Sequence, residues 1–290
     1  NNSPENLDKL FMHLYYNAFQ PGSMMDVRSR TIEDPDSRVE DRIANLSKTE
    51  IGFQKIESIN NSKGEKLSFN EDGTILEITL NKPLKSGKSI KLKVNFNAQV
   101  PVQIRRTGRY NKENVAYSMT QWYPKMCEYD KHGWHTNPYI GREFYGVWGD
   151  FEVNIAIDSS FVLGGTGVIQ NPQEVGHGYQ DPNKKIKLNS SKKLVWEFKA
   201  ENVHDFAWAA DPDFLHETTK LENGTILHFL HKDDSLNDNW TALRPYAKKC
   251  FEYMNEHYGL YPYAQYSVIQ GGDGGMEYPM CTLITAEGSM

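Results

Sequence analysis

Apolar and polar residues alternate with period two along Ile90-Lys91-Leu92-Lys93-Val94-Asn95-Phe96, as in a strand with one buried and one wet face. Leu76-Glu77-Ile78-Thr79-Leu80 alternates in the same way. Asn81-Lys82-Pro83 and Ser86-Gly87 supply turn chemistry between the two, so the pattern predicts a hairpin with a longish loop. Phe151, Val153, Ile155 and Ile157 predict a further strand, and so do Leu194, Trp196 and Phe198. The stretch from Leu10 to Tyr16 fits both periods. Leu10, Met12, Leu14 and Tyr16 suit a strand, while Leu7, Leu10, Phe11 and Leu14 suit a helix. Its aromatic content tips the reading toward strand. No internal repeat or low-complexity tract interrupts the chain, and up to about residue 211 it reads as all-β with long loops.

The period then changes. Ile226 to Leu230 reads as a strand. Trp240, Leu243, Ala247, Cys250, Phe251, Met254 and Tyr258 recur at three- and four-residue steps, which predicts one amphipathic helix. Gly259 stands where a C-terminal cap belongs, with Pro262 just beyond. Pro245 lacks an N–H, so a late start or a kink is expected there. Tyr266 to Ile269 and Cys281 to Ile284 read as short strands around a glycine-rich turn. The expected organisation is an N-terminal antiparallel β-sheet or sandwich domain over residues 1–211, then the opening of an α/β or α+β domain over 212–290. Asp211-Pro212-Asp213 marks the boundary.

Composition narrows the partners. Of 290 residues, 32 are Lys or Arg and 38 are Asp or Glu, for a formal charge of −6. With no dense basic block, nucleic acid and anionic membrane are not expected as main partners. No apolar run approaches the roughly 20 residues of a membrane span, so the expected chain is soluble; its compartment is not legible. The aromatic load of 16 Tyr, 13 Phe and 6 Trp favours β-structure. Cys127, Cys250 and Cys281 lie far apart without a C-x-x-C pair, which argues against a disulfide framework or a cysteine zinc cluster. The chain opens on Asn1-Asn2-Ser3-Pro4 and stops at Gly288-Ser289-Met290, straight after a strand-like stretch. Both ends read as cut from a longer protein.

The most informative segment is Gln270-Gly271-Gly272-Asp273-Gly274-Gly275-Met276-Glu277-Tyr278-Pro279. Four glycines allow close backbone approach, and a carboxylate stands beside them. It lacks the G-K-[ST] ending of a P-loop and the G-x-G-x-x-G spacing into a helix. On composition alone it is a mobile turn between two strands.

Gly274-Gly275-Met276-Glu277, followed by Tyr278-Pro279 and an apolar strand, resembles the G-[AG]-M-E-N motif of the zinc aminopeptidases, the family of aminopeptidase N and its leukotriene-hydrolase relatives. Tyr258-Gly259-Leu260-Tyr261-Pro262-Tyr263, Thr120-Gln121-Trp122-Tyr123-Pro124 and Gly149-Asp150-Phe151-Glu152-Val153 are similar to other phrases of that family, so the resemblance covers nearly the whole chain. It departs at Tyr278, where most members carry Asn. The resemblance implies that residues 212–290 open a thermolysin-like catalytic domain. It further implies that Gly274, Gly275, Met276 and Glu277 form an edge strand gripping a peptide's N-terminus. Gln121 matches a family residue that helps hold the substrate amine. Tyr123 competes for that role, and a strand residue bonding backbone is the plain alternative for Gln121.

In that family a catalytic zinc is held downstream by H-E-x-x-H and a further Glu. This sequence contains no H-E-x-x-H. His216-Glu217-Thr218-Thr219-Lys220 ends in Lys, a protonated non-ligand, and precedes the glycine motif; it reads as a coincidence on a loop. The expectation is therefore zinc in the parent enzyme and none bound by this chain. Asp130, His132 and His135 are ligand types, but Lys131, Gly133 and Trp134 between them make a floppy loop. His204-Asp205-Phe206-Ala207-Trp208 looks like the closing strand of the β-domain, with His204 structural. Glu33-Asp34-Pro35-Asp36 and Asp233-Asp234 read as solvated loops, and the sequon Asn223-Gly224-Thr225 carries no argument for secretion.

These residue types suit an exopeptidase. A fixed carboxylate reads a free α-ammonium through charge-assisted hydrogen bonds. If partly buried, it penalises peptides that lack the amine. Glycines leave room for an extended peptide to add to the strand edge. The implied partners are peptide substrates. Two rival readings remain: a non-catalytic, aromatic-rich β binding module, and a catalytically dead aminopeptidase relative.

Overall fold

In the computed structural model the described residues are 1–141, 144–185, 191–232 and 237–286. Asp233, Asp234 and the terminal Gly288-Ser289-Met290 lie outside them. The fold is mainly β, with several antiparallel sheets. The chain forms two compact units. One comprises Asn1–Ile104 and Gln121–Val147; the other comprises Arg105–Thr120 and the residues from Trp148 onward.

In the first unit, strands Ser68–Asp72, Ile75–Leu84, Leu7–His13 and Lys125–Met126 form an antiparallel sheet in that order. Leu10, Leu76 and Ile78 point inward from it, into a core shared with Ile56 and Ile59. The strand reading of the early aromatic run holds as far as His13, and a 3-10 turn, Tyr15–Ala18, follows it. The expected hairpin does not form. Leu92–Gln99 pairs with Phe53–Asn61, and Ile75–Leu84 pairs with Leu7–His13 and Ser68–Asp72. Alternation fixes which face of a strand is buried but not which strand lies beside it. Pro83, taken as turn chemistry, lies within the strand, near a register shift between Leu7 and Lys9 on the partner. At such an irregularity its missing N–H is tolerated.

The helix Met24–Thr31 breaks the all-β expectation for this region. Its start was encoded by Ser23-Met24-Met25-Asp26, a serine three residues ahead of an acid. The Ser23 hydroxyl accepts from the Asp26 N–H at 3.1 Å, while the buried Asp26 carboxylate accepts from Gly22 N–H and clamps Arg30. The acidic stretch from Glu33 to Asp36 is a loop, with Asp36 paired to Arg38 at 2.9 Å.

In the second unit, Gly149–Asp158 and Lys193–Val203 pair antiparallel as their alternation predicts. Trp208–Asp211 pairs with Val162–Gly165 and Tyr117–Met119; that strand starts at Trp208, so His204 precedes it and packs on Trp148. A five-stranded sheet follows in the order Phe214–Lys220, Ile226–Lys232, Gln265–Gln270, Cys281–Ile284, Met276–Tyr278. Its three middle strands run parallel. Such a connection needs a crossover, and the helix Asn237–Tyr258 supplies it. Trp240, Leu243, Ala247 and Phe251 bury its apolar stripe against Phe229 and Val268. The helix runs through Pro245 rather than starting after it, and Gly259 follows with φ +109°, a conformation glycine reaches without strain.

Candidate functional site

The glycine segment links two strands of the five-stranded sheet, and most of it is pinned. The Gly271 N–H donates to Ile284 O at 2.9 Å, and the Gly272 N–H donates to Ser118 Oγ at 2.9 Å. Asn111 Nδ2 donates to Gly272 O at 2.9 Å, and the Asp273 N–H donates to Arg105 O at 2.8 Å. The turn is therefore held by residues 105–118 rather than mobile by composition. Ser118, Asn111 and Arg105 lie far upstream, and no local signal marked them.

The glycines divide by their reasons. A Cβ on Gly271 would lie 2.9 Å from Ser118 Oγ, the atom that holds the next residue. Gly272 and Gly274 have φ of +70° and +104°, where side chains are strained. Gly275 is exposed, with nothing within 4 Å of a built Cβ and no positive φ. Folding explains the first three and leaves Gly275 unexplained.

Strand Met276–Tyr278 pairs antiparallel with Cys281–Ile284 and forms the edge of the sheet. Period two sends Met276 and Tyr278 into the core with Leu283 and Cys281, and Glu277 to the other face opposite Thr282. Tyr278, where the family motif has Asn, is a buried core residue. Glu277 is exposed, not partly buried. Burial raises the Tyr266 hydroxyl above its ordinary range, with Cys281 and Glu277 adding to the effect. The sheet behind the edge is cross-braced. Gln270 Nε2 donates to Glu113 at 2.8 Å, Glu113 accepts the Ala286 N–H, and Gln270 Oε1 accepts the Lys232 N–H.

Gln121 belongs to the other unit. It is 2% exposed and lies in a bend with φ +51°, not in a strand as its plain alternative had it. A non-glycine residue in left-handed backbone is strained and persists where its surroundings hold it. Tyr123 is half-buried, packed edge-on to Trp122 at 5.1 Å.

His216-Glu217 lies on the strand Phe214–Lys220, not on a loop. Adjacent strand residues face opposite ways, so the pair lacks the one-sided spacing of a helical metal motif. His216 Nε2 meets His228 Nδ1 at 2.8 Å, whereas Glu217 binds Arg244 at 2.6 Å and His231 at 3.3 Å. Burial and the neighbouring His216 push His228 down to about 3. Tyr129–Asp130 and Gly133–Trp134 form a small hairpin rather than a floppy loop, and Asp130 pairs with His135 at 2.9 Å. Among the described residues no three His, Cys, Asp or Glu side chains converge as a metal-holding group; the donors present do not fit a zinc ion. All three cysteines are free thiols.

No family model and no curated protein matches the sequence. The fold does match solved structures. A two-domain M1 zinc metallopeptidase mutant bound to L-arginine superposes with a TM-score of 0.61 at 10% identity, covering 100% of this chain and 55% of that one. The M1 zinc metallopeptidase from Deinococcus radiodurans gives 0.55 at 10% identity, with the same coverage. A mutant of that enzyme bound to a Tyr-Ser-Ala substrate also gives 0.55 at 10% identity, again with 100% and 55% coverage. This chain thus spans about half the length of the M1 structures it resembles, and at this identity the likeness is one of fold. Among the described residues no helix is long and apolar enough to cross a membrane.

Proposed function

We propose that the chain is the substrate-reading portion of a zinc-dependent aminopeptidase. Strand Met276–Tyr278 receives an extended peptide along its edge, and Glu277 takes the peptide's α-ammonium. The observation that carries this reading is Gly275. It leads into the edge strand, is open to solvent, and has no structural reason to lack a side chain. An incoming backbone supplies that reason. The exposed Glu277 carboxylate one residue past Met276 is placed to accept short, charge-assisted hydrogen bonds from an ammonium. The fold shared with M1 zinc metallopeptidases supports the reaction class, as does a neighbour crystallised with a tripeptide substrate. Residues 212–290 open the thermolysin-like domain in this reading. In the resembled family zinc is held by H-E-x-x-H and a further Glu, and residues 1–290 contain no H-E-x-x-H. Residues 1–290 alone are accordingly expected to hold no stoichiometric zinc and to cleave no aminoacyl substrate. One tightly bound zinc per chain, surviving mild chelation, overturns that part. The deciding experiment compares a longer chain carrying H-E-x-x-H with its Glu277→Ala variant, on one peptide in free-amine and N-acetylated forms. Loss of both rate and discrimination supports the clamp, and retention of both refutes it.

A further inference from the structure

A cavity of about 960 Å³ opens in the first unit. Its wall is built by the 3-10 turn Tyr15–Ala18 and the residues after it, the start of strand Phe53–Asn61, the Ser68–Asp72/Ile75–Leu84 turn, and residues 136–139. Phe11 and Phe53 give it apolar surface. Gln20, Lys55, Asn70 and Asp72 stand around it without a side-chain hydrogen bond to the described residues. Glu71 commits Oε1 to the Ile56 N–H at 3.0 Å. Gln54 lines the cavity at 1% exposure; its Oε1 accepts the Tyr16 N–H, while its Nε2 has no partner. A cavity that mixes apolar faces with a few polar groups is the ordinary form of a ligand site.

We propose that this cavity binds a neutral oligosaccharide. Three properties of the lining select that chemistry. Carboxylates outnumber the one lysine, with Glu71, Asp72 and Glu77 against Lys55, which disfavours phosphate and other polyanions. Side-chain amides offer a donor and an acceptor on the same group, as a hydroxyl does, so Gln20 and Asn70 suit neighbouring sugar hydroxyls. Aromatic rings supply planar apolar area for the C–H faces of a pyranose. A lipid would leave these polar groups unpaired in the bound state, at a cost. The inference concerns the first unit alone and stands whether or not the peptide reading of Glu277 survives.

The test is calorimetric titration of the 290-residue chain with cellotetraose, maltotetraose and tetra-N-acetylchitotetraose, alongside a free-amine tripeptide and inorganic phosphate. At least one saccharide is expected to bind with a Kd of about 1 mM or tighter. Asn70→Ala and Gln20→Ala remove rim groups that hold no other part of the protein, and each should weaken that binding about tenfold with an unchanged melting temperature. Three outcomes overturn the proposal: no saccharide binding at about 10 mM, binding unaffected by Asn70→Ala and Gln20→Ala, or tripeptide binding stronger than any saccharide. The last would make Glu71 and Asp72 a site for ammonium groups.

Discussion

The two candidate amine readers sit in opposite kinds of backbone. Glu277 rides on a regular edge strand in one unit, exposed and free of strain, beside a glycine that folding does not require. Gln121 is sealed in the other unit at 2% exposure, in left-handed backbone. One residue is presented by a sheet that was going to form anyway; the other is held against its own preference by its surroundings. The difference teaches where substitution should report on chemistry and where it should report on folding.

The largest expected effect falls on the exposed residue. In a longer chain with H-E-x-x-H, where bound peptide covers the Glu277 carboxylate, Glu277→Ala should lower kcat/KM on free-amine peptides about 30-fold or more, from a charge pair buried on binding and worth at least ~2 kcal/mol. Discrimination against the N-acetylated form should fall with it, while the melting temperature of the 290-residue chain stays put. If that temperature drops instead, the contrast between the two readers breaks.

Next come the glycines, which sharpen the comparison inside one turn. Gly271→Ala presses a methyl to 2.9 Å from Ser118 Oγ and should cost about 1–3 kcal/mol in denaturant unfolding. The Cβ of Gly275→Val meets nothing within 4 Å, so this change should cost less than about 0.5 kcal/mol, yet raise KM in the longer chain. Equal stability losses would return Gly275 to a purely structural role.

Acid provides a third measurement, one per unit. Burial, with Lys125 adding, pushes His13 in the first unit down to about 4; burial and His216 push His228 in the second down to about 3. Both values are depressed, so the unfolded chain takes up the proton first. Stability is fully present above the unfolded pKa near 6.5 and declines as pH falls below it. From pH 7 to 5.5 each histidine should cost about 1 kcal/mol, and a stability profile flat across that window removes the buried neutral histidines from the account.

The smallest effect is a difference. Gln121→Ala and Gln121→Gly delete the same side chain, but only glycine relaxes at φ +51°, so the glycine variant should be the more stable by about 1 kcal/mol. Equal stabilities would mean that the bend is not strained.

Much of this fold was legible because the code for a strand's faces is local. The alternation around Phe151 and around Trp196 named two strands that do pair with each other, and the three-four spacing from Trp240 to Tyr258 named the crossover helix. Helix Met24–Thr31 was missed, because its start signal at Ser23 and Asp26 stands in a segment with little apolar rhythm. The glycine–Met–Glu string pointed to the strand edge on which Glu277 sits. The partner of Leu92–Gln99 was not legible, because pairing is decided between segments distant in sequence, whereas alternation speaks only of one strand's two sides. Nor could the string separate Gly275 from Gly271, Gly272 and Gly274. That distinction depends on Ser118, some 150 residues upstream by sequence, and on the φ each turn position was given. By itself the sequence determined the alternation that gives each strand its two faces and the spacing that gives the crossover helix its apolar stripe. Tertiary structure alone decided which strands met, which glycines were needed for the turn, and that Gln121 would be held in strained backbone, because contacts between distant segments set all three.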